Sequence, residues 1–361
     1  MRKMARVVKI DNVIKHPNAD ALDLFFIGGW QVVAKTGDYK TGDLAIFCEV
    51  DSFVPTEVAP FLTREGSEPK EYNGIKGERL KTIRLRGELS QGLLLSIASQ
   101  PKVDVRLGEI VVKSNKQNFN METLIDEDVS ELLGVIKWER PELGTGAKLG
   151  GNPKGNFPSE FPKTDQERIQ NLSRKLEQWI ESGEEFEVTE KLEGSSMTCY
   201  LMRDGTFGVC SRNLDLKRDK NNTFWSTAIE FDVESKMKDH FGEVPEVSVA
   251  LQGELIGPGI QGNIYKLEDY EFRVFDIVEG GGKYLLPEQR RKIIRLMDLP
   301  HVPVVSKSYP ALSMGEMLEF AEGTTQLTTK KASREGLVFK SLTNPNNSFK
   351  VISNEYLLKQ K

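Results

Sequence analysis

The sequence predicts an α+β protein of two domains, a small N-terminal β-barrel followed by a larger domain built on antiparallel sheets. Three observations carry this. The chain has 361 residues, enough for two separate cores. Residues 1–139 break into short Val/Ile/Phe-rich runs at close spacing, parted by turn signals. From residue 164 onward, strand-like runs are interleaved with a few helical stretches.

The elements follow in order. "RVVKIDNVIKH" and "WQVVAKTGDYKTGDLAIFCEVDSFVP" read as strands separated by turns such as Gly37-Asp38 and Gly42-Asp43. In "RLKTIRLRGELSQGLLLSI", Ile83 and Leu85 alternate with Arg84 and Arg86, so both arginines are expected on one face of a strand. Arg79 and Lys81 lie just before them. The stretch from Arg140 to Lys163 is rich in Gly and Pro and has no periodicity, which predicts a linker and domains at 1–139 and 164–361. Thr164 and Glu167 have capping-box spacing, and Ile169, Leu172, Leu176, Trp179 and Ile180 form one apolar stripe of a helix ending at Gly183. Strand-like runs follow: "FEVTEKLEG", "SMTCYLM", "TFGVCSRN", "SVALQGELIG", "EFRVFDIVE", "GLVFKSL" and "SFKVIS". Helices are expected near 223–240, 287–297 and 313–322. No internal repeat is evident.

Composition removes several function classes. At 38% hydrophobic and 29% charged residues, the chain reads as a soluble globular protein. Cys48, Cys199 and Cys210 form no CxxC pair, which argues against a disulfide framework or structural zinc. His16, His240 and His301 are scattered, so a Ser-His-Asp enzyme or histidine metal site is not expected. Without a signal peptide or an apolar run of about 18 residues, a cytoplasmic protein with no membrane partner is expected. The net charge of −5 argues against indiscriminate polyanion binding but leaves room for a local basic groove.

The stretch "EVTEKLEGSS" poses a chemical problem. Glu190 and Glu193 flank Lys191 and should hold it protonated, and an ammonium is no nucleophile. Either this is a solvated charge cluster or distant residues reverse the local effect. Other polar residues fall at the ends of strand-like runs, where they can converge on one cleft. They are Arg212 in Ser211-Arg212-Asn213, Glu254, Phe275 beside Asp276, Glu335 with Lys340, and Lys350. Taken singly, Arg212 reads as a surface arginine, Glu254 as a sheet-edge charge and Phe275 as core.

Their order is more specific. KLEG (191–194), SRN (211–213), ELIG (254–257), FRVFDI (272–277), EGLVFK (335–340) and SFKVIS (348–353) resemble the ordered motifs of the covalent nucleotidyltransferases. That superfamily comprises polynucleotide ligases and messenger RNA capping enzymes, and the resemblance spans roughly residues 160–355. "GELIGPGIQGN" is most similar to the RNA ligases. DNA ligases and capping enzymes carry a barrel domain after the last motif, whereas only eleven residues follow Lys350. With its barrel at the amino end, the chain resembles the Naegleria- and Deinococcus-type branch of RNA ligases, which has an N-terminal OB domain. "HPNADAL" and "GDLAIFCEVDSFVP" are similar to that module.

The resemblance implies an OB-like RNA-binding domain joined to an ATP-grasp-like ligase (nucleotidyltransferase) domain. It implies an ATP-dependent RNA ligase of RNA repair, sealing 3′-hydroxyl and 5′-phosphate RNA ends, in nicked or splinted form, through lysyl-AMP and RNA-adenylate. Lys191 would be the nucleophile. The nucleotide would lie against Glu190, Lys191, Leu192, Ser196, Arg212, Glu254, Phe275, Glu335, Lys340 and Lys350, with Mg²⁺ or Mn²⁺ at Glu254 and Glu335. Arg212, Lys340, Lys350 and the divalent ion would favour neutral Lys191, and Phe275 would stack on adenine. Gly194 would let the backbone approach the nucleotide. Arg79, Lys81, Arg84 and Arg86 would face RNA, and a monomer is expected. The family's last motif is usually K-x-K, but Ser348 stands two residues before Lys350. A DNA ligase, a capping-type guanylyltransferase and a non-catalytic RNA-binding protein are the competing readings.

Overall fold

The computed structural model describes residues 2–113, 121–139, 152–328 and 331–360, in two units, Met1–Arg140 and Pro141–Lys359. Among the described residues, the first unit contains the strands β1 (Ala5–Lys9), β2 (Asn12–Lys15), β3 (Leu22–Ile27), β4 (Trp30–Lys35), β5 (Leu44–Cys48), β6 (Ser52–Pro55), β7 (Lys70–Tyr72), β8 (Ile75–Arg79), β9 (Thr82–Leu85), β10 (Glu88–Gln91), β11 (Leu93–Leu95) and β12 (Ile136–Lys137). They form antiparallel sheets ordered β1-β5-β11, β2-β3-β4, β9-β10 and β12-β6-β8-β7, and Gln31 and Val33 of β4 bond to Leu89 and Ser90 of β10. The run "LAIFC" explains the centre of the unit. Ala45 and Phe47 face a core with Phe25, Trp30 and Val32, whereas Ile46 and Cys48 face Val103 and Leu107 of helix α1 (Pro101–Lys113). A strand buried on both faces needs such an unbroken apolar run.

The "HPNADAL" motif has a structural function here. The backbone N–H of Asn18 donates to Nδ1 of His16, leaving Nε2–H to donate to the carbonyl of Leu85. The Asn18 side chain donates to the carbonyl of Arg86. Together they brace the β9–β10 hairpin, whose two-residue turn is Arg86-Gly87 with φ of +50° and +100°. Arg86 therefore sits in the turn and does not share a strand face with Arg84 as the alternation predicted. Two positive φ values match the right-handed twist of a hairpin.

The second unit holds β13 (Pro153–Asn156), β14 (Glu167–Arg168), α3 (Ser173–Ser182; a short α2, Ser130–Leu133, lies in the first unit), β15 (Glu185–Lys191), β16 (Ser195–Leu201), β17 (Phe207–Cys210), β18 (Leu214–Leu216), α4 (Thr223–Glu230), α5 (Val233–Phe241), β19 (Val249–Ile256), β20 (Glu271–Glu279), β21 (Lys283–Tyr284), α6 (Pro287–Leu296), β22 (Val304–Pro310), α7 (Met314–Ala321), β23 (Gly336–Ser341), β24 (Ser348–Ile352) and α8 (Asn354–Lys359). Two sheets result, β13-β18-β17-β16-β19-β20-β21 and β14-β24-β23-β15-β22, antiparallel except for β14 beside β24. The first packs Met197, Leu251, Phe272 and Val274 against Phe224, Trp225, Met237 and Ile294 of its helices. The second packs Phe186, Val188, Phe339 and Phe349 against Leu176, Trp179 and Met317. Each sheet thus covers one face with helices and leaves Lys191 or Glu254 on the other. Among the described residues, no helix is long and apolar enough to cross a membrane.

Two expectations fail locally. The helix predicted from Thr164 begins at Ser173, after a 3-10 turn at Ile169–Leu172. Thr164 spends its hydroxyl on Ser196 (2.6 Å), and Glu167 accepts from Asn171, so neither caps a helix. The first part of the expected linker, 140–151, lies outside the described residues. In its later part, Pro153–Asn156 pairs with β18 and Phe161 is buried with Tyr200, so that part belongs to the sheet.

Candidate active site

Lys191 is the last residue of β15, directly opposite Gly336 on β23, so that Glu335 lies just beyond the paired strands. Its Nζ stands 2.7 Å from Glu335 Oε1. Strand alternation sends Glu190 to the other face, where it is buried and accepts from the N–H of Gln326 at 2.9 Å. Burial raises the Glu190 carboxyl above its ordinary range, against the pull of the Gln326 N–H, Thr325, Arg334 and Arg273. Glu193 turns toward the N–H of Gly262. The two glutamates adjacent in sequence are therefore not the ones that hold Lys191. Burial works against the ammonium, but Glu335 and Glu254 outweigh it and hold Lys191 above the usual lysine range.

Glu254 comes from β19, opposite Ser196 of β16. Burial foremost, and then Glu335, pushes its carboxyl up to about 8, against the pull of Lys191 and Arg212. Gly194 makes this approach possible. A Cβ there would lie 2.5 Å from the Leu255 carbonyl oxygen and 2.6 Å from Glu254 Cγ. The close approach expected toward a nucleotide is thus first an approach to strand β19. Ser196 is held by Thr164, and Leu192 is buried with Ile256, Tyr265 and Val302. Phe275 packs partly on that cluster from a bulge in β20: Gly253 pairs with Val274 and Gln252 with Asp276, leaving Phe275 unpaired. A bulge re-aims the extra residue's side chain.

The cations expected around Lys191 are paired with carboxylates other than Glu254 and Glu335. Asp165 collects both Lys350 (3.2 Å) and Arg212 (3.7 Å). Lys340 lies opposite Glu187, four residues back along β15 and so about 13 Å from Lys191. Its Nζ pairs with Asp276 (2.5 Å) and donates to the carbonyl of Phe275 (2.8 Å). Ser348 stands directly opposite Lys340, so Lys340 lies beside the position where the family's motif carries its other lysine. The nearby cation that does weaken the Lys191 ammonium is Arg168, a buried side chain on β14 beside Lys350. Sequence reasoning missed it because "ERIQ" was read as the start of an amphipathic helix; the available signal was an arginine directly before the fully buried Ile169.

In the first unit the four basic residues divide. Arg79 is committed internally, 2.6 Å from Asp51 and 3.7 Å above the Trp138 ring. Lys81 is held below the ordinary lysine range by burial, then by Arg79 and Lys70. Arg84 and Arg86 are exposed at the hairpin end.

Among the described residues, no group of three or more His, Cys, Asp or Glu is arranged to hold a metal. Glu254 and Glu335 set two carboxylates beside one ammonium, and burial foremost, then Glu335, keeps the Glu254 carboxyl high in the ligand-free site. Two oxygen donors of this kind suit a divalent cation that keeps much of its water and favours the ionised carboxylates.

A strand-end lysine held by carboxylates from neighbouring strands is what the resemblance to the covalent nucleotidyltransferases leads one to expect. Comparison with known proteins narrows the class. A family model described as RNA ligase matches residues 184–352, and an OB-fold domain model matches residues 4–97. Solved structures of a Naegleria gruberi RNA ligase are similar over nearly the full length. One variant with AMP and Mn and another with ATP and Mn each show 35% identity, 99% coverage of both chains and a TM-score of 0.85. The same ligase with PPi shows 35% identity, 100% and 99% coverage and a TM-score of 0.85. No curated protein matches the chain. The chain belongs to the RNA ligase family.

Proposed function

We propose that this protein is an ATP-dependent RNA ligase that joins a 3′-hydroxyl RNA end to a 5′-phosphate end. The observation that carries the reading is the Lys191–Glu335 pair at 2.7 Å, at the end of β15 with Glu254 across the cleft. In the first step the Lys191 Nζ lone pair attacks the α-phosphorus of ATP. An N–P bond forms, the bond to the bridging oxygen breaks, and pyrophosphate leaves. In the second, a 5′-phosphate oxygen of RNA attacks the same phosphorus and the N–P bond breaks, giving RNA-adenylate. In the third, the 3′-hydroxyl attacks the 5′-phosphate phosphorus and AMP leaves. The Naegleria ligase structures contain ATP, AMP, PPi and Mn, the ligand set this sequence of steps requires.

Lys191 must shed a proton before it attacks, and the resting ion pair opposes that. Glu335 and Glu254 would hold a divalent cation, which when bound supplies positive charge beside the ammonium and the triphosphate. Arg212 and Lys350 are placed to exchange Asp165 for phosphate oxygens. Phe275 offers its ring to adenine. Arg84 and Arg86 present charge to the RNA backbone from the OB unit, and a nicked or splinted duplex is the substrate form we expect. The test is incubation with α-labelled ATP and Mg²⁺. Wild type should carry the label on Lys191 and Lys191→Ala none; an adduct mapped to another lysine overturns the reading.

A further inference from the structure

Beside the residues assigned to nucleotide, and sharing Lys340 with them, lies a group of buried charges. Arg290 on α6 and Glu187 on β15 are fully buried. The Arg290 guanidinium pairs with Glu187, stands 3.5 Å from Asp276 Oδ1, and donates through Nε–H to His301 Nε2 at 3.2 Å. Arg291 also pairs with Glu187, and Lys340 pairs with Asp276. Because Glu187 and Lys340 are cross-strand partners, Lys340, Asp276, Arg290 and Glu187 close a ring of alternating sign. His301 fits it as a neutral acceptor: burial and Arg290 push the imidazole down to about 3, and Nδ1 is engaged with the Val302 carbonyl.

Cohesion alone does not call for such a ring, since apolar side chains of like volume often serve a core as well or better. What the ring touches is more telling. Glu187 sits on β15, four residues before Lys191. Asp276 follows the bulge residue Phe275 on β20. Lys340 donates to the Phe275 carbonyl and lies 5.3 Å from its ring centroid. A planar guanidinium can hold two carboxylates in fixed geometry, which a flexible ammonium cannot.

We propose that Arg290 is a positioning residue for lysine adenylation, a strut between the two sheets that fixes Lys191 on β15 against the Phe275 bulge of β20. This rests on the reading of Lys191 as the nucleophile. Arg290 itself touches none of the residues assigned to ATP; it acts through Glu187 and Asp276.

The test is single-turnover formation of lysyl-AMP over a range of ATP concentrations in wild type, Arg290→Met and Arg290→Lys, with Tm measured alongside. Arg290→Met should slow the step by tenfold or more, on the order of the loss that an ångström of misplacement brings, and raise the half-saturating ATP concentration. Its Tm should fall as well, because Glu187 and Asp276 stay buried without their shared partner, so the rate is read on folded protein below the Tm of every variant. Arg290→Lys, which keeps the charge but not the fork, should lie between. Should the Met variant fail to fold, the Lys variant decides by the same kinetic criteria. A folded variant with wild-type rate and half-saturation overturns the proposal. Wild-type enzyme without AMP on Lys191 would instead overturn the reading beneath it.

Discussion

Gly194→Ala tests the way the KLEG segment is built. The added Cβ would meet the Leu255 carbonyl oxygen at 2.5 Å, Glu254 Cγ at 2.6 Å and Ile256 Cγ2 at 2.7 Å, where ordinary contact begins near 3.4 Å. Two of these partners are strand backbone or a branched side chain in the core, so β16 and β19 must part by about 1 Å. Overpacking of this kind costs ~1–3 kcal/mol. For a unit of this size that lowers Tm by roughly 2–12 °C. The displaced group is Glu254, which faces Lys191, so adenylation should fall by about 10²-fold, far more than the loss of stability explains. Gly183→Ala is the control. Gly183 ends α3 at φ +66° with open space around it, so alanine there costs ~1–2 kcal/mol of backbone strain and touches nothing in the cleft. The assays are thermal unfolding and single-turnover labelling with α-labelled ATP. If Gly194→Ala labels as fast as Gly183→Ala, the close packing of KLEG on β19 does not set the geometry of Glu254.

Other outcomes follow from the same geometry. Asp165→Asn should loosen Arg212 and Lys350 and lower the half-saturating ATP concentration a few-fold, the scale of half-exposed ion pairs worth ~0.2–1 kcal/mol each; a raised ATP requirement in titration would refute this. Glu254 has an ordinary value of 4.5 and a folded value of about 8, so in that window the folded state keeps a proton the unfolded chain has lost. Stability should therefore decline as pH rises from about 5 to 8 in ligand-free wild type relative to Glu254→Gln, and a Tm difference independent of pH would refute it. Arg84→Ala with Arg86→Ala should leave lysyl-AMP formation intact while flattening the salt dependence of RNA binding, by a slope of ~0.7–0.9 for each phosphate no longer neutralised. An unchanged slope would assign the hairpin to another task.

The sequence by itself determined much of this protein. Apolar alternation and turn residues marked most strands of both units, and the helices near 223–240, 287–297 and 313–322 match α4 with α5, α6 and α7. The ordered motifs, from KLEG to SFKVIS, pointed to the family that the comparisons then established. Such features are legible because side-chain periodicity and motif order are properties of the chain itself. Tertiary structure alone decided which charges meet. Glu190 and Glu193 are neighbours of Lys191 in sequence, yet pleating turns Glu190 away, and Glu335 and Glu254 arrive from other strands. Lys340 belongs to one motif with Glu335, but the length of β23 carries it to the far end of the cleft, to Asp276 and Arg290. Arg168 and Asp165 carry no motif signal and reach the site because β14 pairs in parallel with β24. Electrostatic interaction depends on distance through space, and folding sets that distance largely without regard to separation along the chain.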